Sequence, residues 1–279
     1  MLKIAIPNKG RMFKPTLELL KNSGFSPKEF DERKLSTETK CGKIKILFVR
    51  ADEICEYVQS NIVDLGITGF DIVIEKKADV EKIFDLNFGN CKMVLAGPKN
   101  KKFVTGLKVA TKYENIAKEY LGKKGINSKI INSQGATELK PQLNLADFII
   151  DITSTGETLK ANGLKIYEVL FESNAVLIAN KKSLKEKSTE ILDIKIAIQS
   201  VILAENKSYL IFNLSKKTLD KIINQIPCMR APTIVKTGDK NVVSVQTVVP
   251  TNDISTTINK LKKLGSTDVL VLDIKRVII

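Results

Sequence analysis

Short apolar runs and helix-period stretches alternate along most of this chain. Lys3–Ile6, Ile44–Val49, Val63–Thr68 and Val80–Leu86 read as strands. Between them Met12–Ser23 reads as a helix, with Pro15 in its first turn and Gly24 at its end. Asp52–Asn61 reads as a second helix with Ile54, Tyr57 and Val58 on one face, and Phe70–Lys77 as a third. This order predicts βα winding around a largely parallel sheet. A second set follows, with strands at Met93–Ala96, Val109–Ala110, Lys129–Ile131 and Phe148–Ile150 and helices at Tyr113–Lys123 and Ala136–Leu143. Lys165–Phe171 and Ala175–Ala179 read as extended return segments. The lysine-rich stretch Lys181–Lys187 leads into a long helix, Ser188–Glu205. Its Ile191, Ile194, Ile198, Val201 and Ile202 fall at helical spacing and predict support rather than a site.

The tail changes character. Tyr209–Leu214 (strand), Lys216–Gln225 (helix), Thr233–Lys236 and Val242–Val249 (strands), Ile254–Leu264 (helix ended by Gly265) and Val269–Val277 (strand) follow one another. The order βαββαβ is that of a split βαβ, ferredoxin-like unit. It predicts a boundary near Asn206–Ser208. A length of 279 residues suits two or three such domains.

Composition narrows the function. Hydrophobic residues at 43% and charged residues at 27% are those of a soluble globular protein, and no apolar run reaches the length of a membrane span. The opening Met1–Pro7 is too short and too soon broken for a signal peptide, so the expectation is a cytoplasmic protein. Cys41, Cys55, Cys91 and Cys228 lie far apart without CxxC spacing, which predicts reduced, mostly buried thiols. The net charge of +14 is mostly lysine spread along the whole chain; with no Trp and few aromatics it predicts a solvated surface that attracts small anions, not a nucleic-acid platform. Histidine is absent, which excludes imidazole bases and ligands.

The most informative segment is Asp151-Ile-Thr-Ser-Thr-Gly-Glu-Thr-Leu159, between an apolar strand and a brief helix ended at Gly163. Two readings stand. The free amides of a helix start, the hydroxyls of Ser154, Thr155 and Thr158, and the close approach allowed by Gly156 form a phosphate cradle, with Asp151 for sugar hydroxyls or a metal. Alternatively the segment is an N-cap with Glu157 completing a capping box. Pro7-Asn8-Lys9-Gly10-Arg11 follows the first strand, where ligands of doubly wound folds sit. Its Lys9 and Arg11 suit phosphates; a plain polar turn is the bland alternative. Arginine occurs only at Arg11, Arg33, Arg50, Arg230 and Arg276, so Arg11 and Arg50, at strand–helix junctions, draw interest for their fork geometry; Arg276 does not, and Arg33 is undecided. Asp64 precedes a buried strand, and Asp71 opens a helix as a cap or ligand contact. Asp147 and Asp151 share one side by the strand period. A Mg²⁺–phosphate site has use for either, although Asp147 at a strand start suits a structural role.

Taken together, Asn8-Lys9-Gly10-Arg11, Val63–Gly69, Leu86–Cys91, Leu145–Leu164 and Ala231-Pro232-Thr233-Ile234 resemble the ATP phosphoribosyltransferase family in its long form, over essentially the whole chain. The resemblance implies an α/β protein with a bilobed, periplasmic-binding-protein-like catalytic part of two doubly wound lobes and a C-terminal ferredoxin-like regulatory domain. Lobe I would span 1–88 with 180–206 returning to it, lobe II 89–179, and the regulatory domain 207–279. It implies displacement of pyrophosphate from phosphoribosyl pyrophosphate by N1 of ATP, with Mg²⁺, as the first step of histidine biosynthesis. Feedback inhibition by histidine and homodimers assembling to hexamers are also implied. Adenine N1 carries a free lone pair, so its attack needs no general base, and a chain without histidine suits it.

Carried over by position, Ser154, Thr155, Gly156 and Thr158 would hold the 5′-phosphate and Asp151 the ribose hydroxyls. Lys9, Gly10, Arg11, Arg50 and Asp71 would line the nucleotide and pyrophosphate side, with Glu138 nearby. The histidine site would lie near Ser215 and Thr233. Neither nucleic acid nor membrane is expected as a partner. The rival from another class is a non-catalytic bilobed small-molecule binder with an amino-acid-sensing tail; a different phosphoribosyltransferase is a lesser rival.

Overall fold

A computed structural model describes residues 1–29, 34–223 and 226–278, without the side chains of 221–223. Arg33 and the last two residues of the helix expected over Lys216–Gln225 lie outside the described residues. The chain divides into two compact units, Met1–Asp193 and Ile194–Ile279.

In the first unit, β1 (Leu2–Pro7), α1 (Phe13–Asn22), β2 (Ser36–Glu38), β3 (Ile44–Val49), α2 (Ile54–Gln59), β4 (Leu65–Gly69), α3 (Phe70–Lys76) and β5 (Glu81–Asp85) build the first lobe. The second lobe holds β6 (Cys91–Pro98), β7 (Lys108–Thr111), α4 (Glu114–Lys123), β8 (Lys129–Asn132), β9 (Phe148–Thr153), α5 (Glu157–Ala161) and β10 (Leu164–Ser173). The chain then returns through β11 (Ala175–Ala179), α6 (Lys181–Glu186) and the start of α7 (Ser188–Ala204). The first sheet has the order β2-β3-β1-β4-β11-β5 and the second β10-β6-β9-β7-β8. The chain therefore crosses between sheets twice, before β6 and before β11, giving the expected bilobed plan.

Both sheets are more mixed than the βα alternation predicts. Only β3-β1-β4 and β8-β7-β9 are parallel; β2, β11, β5, β6 and β10 pair antiparallel with their neighbours. The two crossing strands enter the sheets in the reverse direction, which a helix-by-helix count along the sequence does not register. Residues 175–179, expected with lobe II, belong to the first sheet: Ala175–Ala179 is buried throughout and pairs with both β4 and β5. The helix expected over Ala136–Leu143 is only a 3₁₀ turn at Thr137–Leu139. Ala136 adopts φ +46, and Pro141 lacks the amide a continuing helix needs. Lys181–Lys187, read as a connecting stretch, forms α6, capped by Asn180, whose side chain accepts from the amides of Lys182 and Ser183.

Each lobe packs helices on its sheet. Ile54, Cys55 and Val58 of α2 meet Ala5, Val176 and Ile178, while Ile116 and Ala117 of α4 meet Met93, Leu95, Phe148 and Ile150. Burial pushes the Cys55 thiol up to about 12. Of the four free cysteines, Cys55 and Cys91 are buried but Cys41 and Cys228 are exposed, so the expectation of mostly buried thiols holds for half of them.

The second unit carries β12 (Lys207–Ser215), α8 (Lys216–Ile223), β13 (Thr233–Lys236), β14 (Val242–Pro250), α9 (Ile254–Lys263) and β15 (Thr267–Asp273). Its sheet order, β13-β14-β12-β15, with antiparallel neighbours throughout, is the ferredoxin-like arrangement. Leu210, Phe212, Leu214, Val243 and Val245 pack with Leu261 on one face of that sheet. The unit begins at Ile194, inside α7, rather than near residue 207. The Val277 amide donates to the carbonyl of Ser200 at 2.8 Å and ties the second half of the helix to the tail. Among the described residues no helix is long and apolar enough to cross a membrane.

Candidate active site

Parallel pairing gathers the candidate loops. β1, β3 and β4 run side by side, so the residues past their carboxyl ends, Lys9, Arg50 and Asp71, come to one edge of the first lobe. β7, β8 and β9 do the same in the second lobe, with Lys112, Gln134 and the Ser154 loop beyond them. This is the edge at which doubly wound sheets bind ligands. A cavity of about 1010 Å³ lies there, lined from the first lobe by Asn8, Lys9, Arg50 and Lys76 and from the second by Lys112, Tyr113, Lys118 and Gln134, among others. A smaller cavity of about 470 Å³ is lined by Cys91, Lys92, Ser154 and Ser173, with Lys82 and Asn174.

Gly10 turns the chain after β1 with φ +83, and its missing Cβ faces open space, so the backbone conformation itself demands glycine. Lys9 and Arg50 are exposed into the larger cavity. Arg11 goes elsewhere. It does not line that cavity; its guanidinium donates to the Sγ of buried Cys91, at the start of β6, at 3.1 Å. The βα turn thus sends one cation into the cleft and one to the second lobe.

Asp71 departs from the expected lining role. It is 2% exposed. The Tyr113 hydroxyl donates to its Oδ2 at 2.9 Å and the Ser173 hydroxyl to its Oδ1 at 2.9 Å, while its own amide donates to Ser173 Oγ at 2.9 Å. A carboxylate saturated in this way supports the cleft from behind. Gly69 makes the arrangement sterically feasible, because a Cβ there would lie 2.4 Å from Asp71 Oδ1. Burial pushes the Tyr113 phenol well up, and the charges of Asp71 and Asp151 add to the effect.

Asp151 sits in β9 opposite Val94, half-buried, and accepts the Ile152 amide at 2.8 Å. Burial raises its carboxyl above the usual range. Against this act the Ile152 amide, the charge of Lys112 and the Thr137 side chain, while Glu138 raises it further. Asp151, Glu138 and Lys112 are therefore neighbours. Asp147 lies at the other end of the same strand, roughly 13 Å away for four residues. It pairs with Lys101, caps the Lys108 amide at 2.7 Å, and is held below the usual carboxylate range by Lys101, which suits the structural role.

The loop after β9 differs from the capping reading. The N-cap of α5 is Gly156 at φ +79, with no side-chain cap, so no capping box forms through Glu157. The Thr153 hydroxyl instead accepts the Gly156 amide at 3.0 Å. Ser154, Thr155 and Thr158 stay exposed; the first amides of α5 have no helical acceptor, and the Glu157 amide donates to the Thr155 hydroxyl at 3.4 Å. In the second unit Ser215 and Thr233 are not brought together. Ser215 pairs with Val242 and Thr233 with Gln246, four residues apart on β14, or roughly 13 Å along the strand. Lys112 and Tyr113 line the larger cavity, and the sequence reading passes over them by taking Tyr113 as a helix start; a cation just past a strand end is the signal that marks them.

Comparison with known proteins identifies the family. A family model described as "ATP phosphoribosyltransferase" matches residues 50–200, and one described as "HisG, C-terminal domain" matches residues 204–276. The chain is 42% identical to an ATP phosphoribosyltransferase of Methanosarcina mazei, over 99% of each chain. It is 38% identical to one of Saccharolobus solfataricus, over 99% of this chain and 98% of that one. Among solved structures, the ATP phosphoribosyl transferase (HisG:HisZ) complex from Thermotoga maritima matches with a TM-score of 0.66 at 32% identity, covering 71% of this chain and 96% of that one.

Proposed function

The chain belongs to the ATP phosphoribosyltransferase family, and from that premise we propose how its cleft divides the two substrates. The family reaction moves the phosphoribosyl group of phosphoribosyl pyrophosphate to N1 of ATP. It gives N1-(5-phosphoribosyl)-ATP and pyrophosphate, the first step of histidine biosynthesis. The N1 lone pair forms the bond to ribose C1 as the C1–oxygen bond breaks and its electrons leave with pyrophosphate. Such a step needs positioning and anion stabilisation rather than a base.

In this reading the Ser154-Thr155-Gly156 turn and Thr158 hold the 5′-phosphate, and Asp151 and Glu138 take the ribose hydroxyls. Lys9 and Arg50 meet the polyphosphates from the first lobe, and Lys112 meets them from the second. Gly10 gives them room, and Arg11 acts through Cys91 at the lobe junction. The observation that carries the reading is the excess of cations around the 1010 Å³ cavity at the carboxyl ends of both parallel strand sets, where Lys9, Arg50, Lys76, Lys112 and Lys118 outnumber Asp52, Glu75 and Glu114. Asp151 gains from it, since a carboxyl raised by burial is eased by nearby cationic charge.

Mg²⁺ belongs to the substrate side. The described residues hold no cluster of three or more acidic, Cys or His ligands. Mg²⁺ takes one or two carboxylates plus phosphates, and the Asp151–Glu138 pair fits that demand. There it would offset the charge of the leaving pyrophosphate. The tail is a histidine-sensing domain that feeds back on the reaction, with Thr233, on the exposed edge strand β13, as its first residue to test. Ser215 serves the start of α8 and stands apart from it. The protein is cytoplasmic and self-associates, as dimers building hexamers.

The decisive assay mixes protein, Mg²⁺, ATP and phosphoribosyl pyrophosphate and follows N1-phosphoribosyl-ATP by absorbance. Lys9→Ala and Arg50→Ala should each lower kcat/KM on the order of a hundredfold, the loss expected when one stabilising donor is removed. Wild-type turnover in both variants would sink the assignment.

A further inference from the structure

The two lobes of the catalytic unit are joined by more than their two crossing strands. α3, in the first lobe, carries Asp71 and Glu75 four residues apart, hence on one helix face. Both side chains reach into the second lobe. Asp71 accepts from the Tyr113 hydroxyl and exchanges hydrogen bonds with Ser173, the last residue of β10. Glu75 goes to the start of α4. Its Oε1 accepts the Asn115 amide at 3.0 Å and its Oε2 the Ile116 amide at 3.0 Å, while Asn115 Nδ2 donates to the Glu75 carbonyl at 2.8 Å.

α4 has no side-chain cap of its own: its N-cap position, Tyr113, makes none. Its orphan amides are instead satisfied by a carboxylate from the other lobe, in the orientation that the helix dipole also favours. A helix whose cap is supplied across a cleft is well capped only while the cleft keeps its spacing. Glu75, Asn115 and Tyr113 all border the 1010 Å³ cavity, with Lys9 and Arg50 on one wall and Lys112 on the other. Ser173 adjoins Asn174, where the chain crosses back to the first sheet. Glu75 lies one helical turn beyond Asp71, about 6 Å farther along α3 from that crossing. It therefore resists opening with the longer lever arm.

We propose that Glu75 is a positioning residue for phosphoribosyl transfer. By capping α4 from the opposite lobe, it holds the two cation-bearing walls at the spacing that binds both substrates. The proposal rests on the cleft being the substrate site. Without Glu75 only a fraction of molecules would hold the binding-competent spacing, and apparent affinity falls by that fraction. Bound substrates restore the spacing, so turnover at saturation persists.

Glu75→Ala should raise the apparent KM for ATP and for phosphoribosyl pyrophosphate about tenfold, each measured with the other substrate well below saturation, while kcat at saturation of both stays within about twofold. That pattern corresponds to a competent fraction of about one tenth. Glu75→Gln, which keeps the size and one acceptor but sets an NH₂ against an amide, should show a smaller rise in the same two constants. Hydrogen exchange of the Lys112–Ile116 segment should quicken in both variants without substrates and return toward wild type with Mg²⁺, ATP and pyrophosphate. Unchanged KM values in the folded variants overturn the proposal. So does a loss of kcat at constant KM, which is what partial misfolding alone produces. Should the alanine variant not fold, the glutamine variant decides by the same criteria. Lys9→Ala and Arg50→Ala measured alongside separate the two readings: if they change kcat/KM and the Glu75 variants do not, the clasp fails and the site stands, and if they too leave it unchanged, the site reading fails.

Discussion

Replacing Asp64 tests whether one buried carboxylate staples the start of the first sheet to the returning chain. Asp64 is 3% exposed. It accepts the Lys3 amide at 2.8 Å, the Ser183 hydroxyl at 2.7 Å and the Lys187 ammonium at 2.7 Å, so β1, α6 and the residue before α7 all end on one group. Burial pushes its carboxyl up, but Lys187, Ser183 and the Lys3 amide together hold it below the usual range. In Asp64→Ala the Lys3 amide loses its acceptor, a cost of about 1–3 kcal/mol for a buried donor. Ser183 is spared most of this because its hydroxyl also reaches Asn61 Oδ1 at 3.0 Å. The ion pair adds at most about 1 kcal/mol, since Lys187 keeps 38% of its side-chain exposure. The expected loss is therefore about 1–4 kcal/mol. It is read as a lower urea midpoint at unchanged slope, by circular dichroism because the chain has no Trp. Asp64→Asn keeps an acceptor for Lys3 and loses the charge, so its deficit should be smaller and dependent on pH. With the folded pKa below the unfolded value of about 3.9, the stabilisation is complete above that value and is lost as pH falls through the folded one. The gap between the Asp64→Asn variant and wild-type protein must then shrink below about pH 4. An equal gap at about pH 7 and about pH 3, or an alanine variant within about 0.5 kcal/mol of wild type, would refute the reasoning.

Other consequences can be checked with less effort. Asp151→Asn should transfer no phosphoribosyl group yet melt higher than wild type at neutral pH. Burial raises the Asp151 carboxyl, so its contribution is present below the unfolded value and lost as pH rises through the folded one; the advantage of the amide should vanish in acid, and a lower melting temperature at about pH 7 would contradict this. Gly156→Ala should cost about 1–2 kcal/mol from φ +79 alone, the nearest side-chain atom being an easy 3.7 Å away, and should raise KM for phosphoribosyl pyrophosphate more than for ATP. Gly97→Ala sets a Cβ 2.4 Å from the Phe148 ring and should cost about 1–3 kcal/mol in thermal unfolding without shifting either KM at permissive temperature. Thr233→Ala should weaken inhibition by histidine at full catalytic activity; inhibition at wild-type strength would place the effector elsewhere.

The sequence by itself determined the elements and the position of most candidate loops. Strand and helix periods survive folding because they are set by burial of one face, so β1, β3, α1, α4 and the βαββαβ order of the tail appear where the pattern puts them, although the last strand runs over Thr267–Asp273 rather than the expected Val269–Val277. Lys9, Gly10 and the Ser154–Thr158 turn lie next to strand ends and are legible from local order alone. Strand direction is not local: β11 and β6 run against the strands beside them because the chain crosses between lobes, and no run of residues records which sheet it will join. The same limit hid the partners of the charged residues. Asp71 turned from a cleft-lining residue into a saturated support because Tyr113 and Ser173, 42 and 102 residues away, converge on it. Arg11 turned toward Cys91, 80 residues on, and Glu75 found its amides 40 and 41 residues on. Residue type and spacing decide which groups are available for chemistry. Which of them face the cleft, and which hold its walls in place, is decided only when distant segments pack and each buried charge must find its donors.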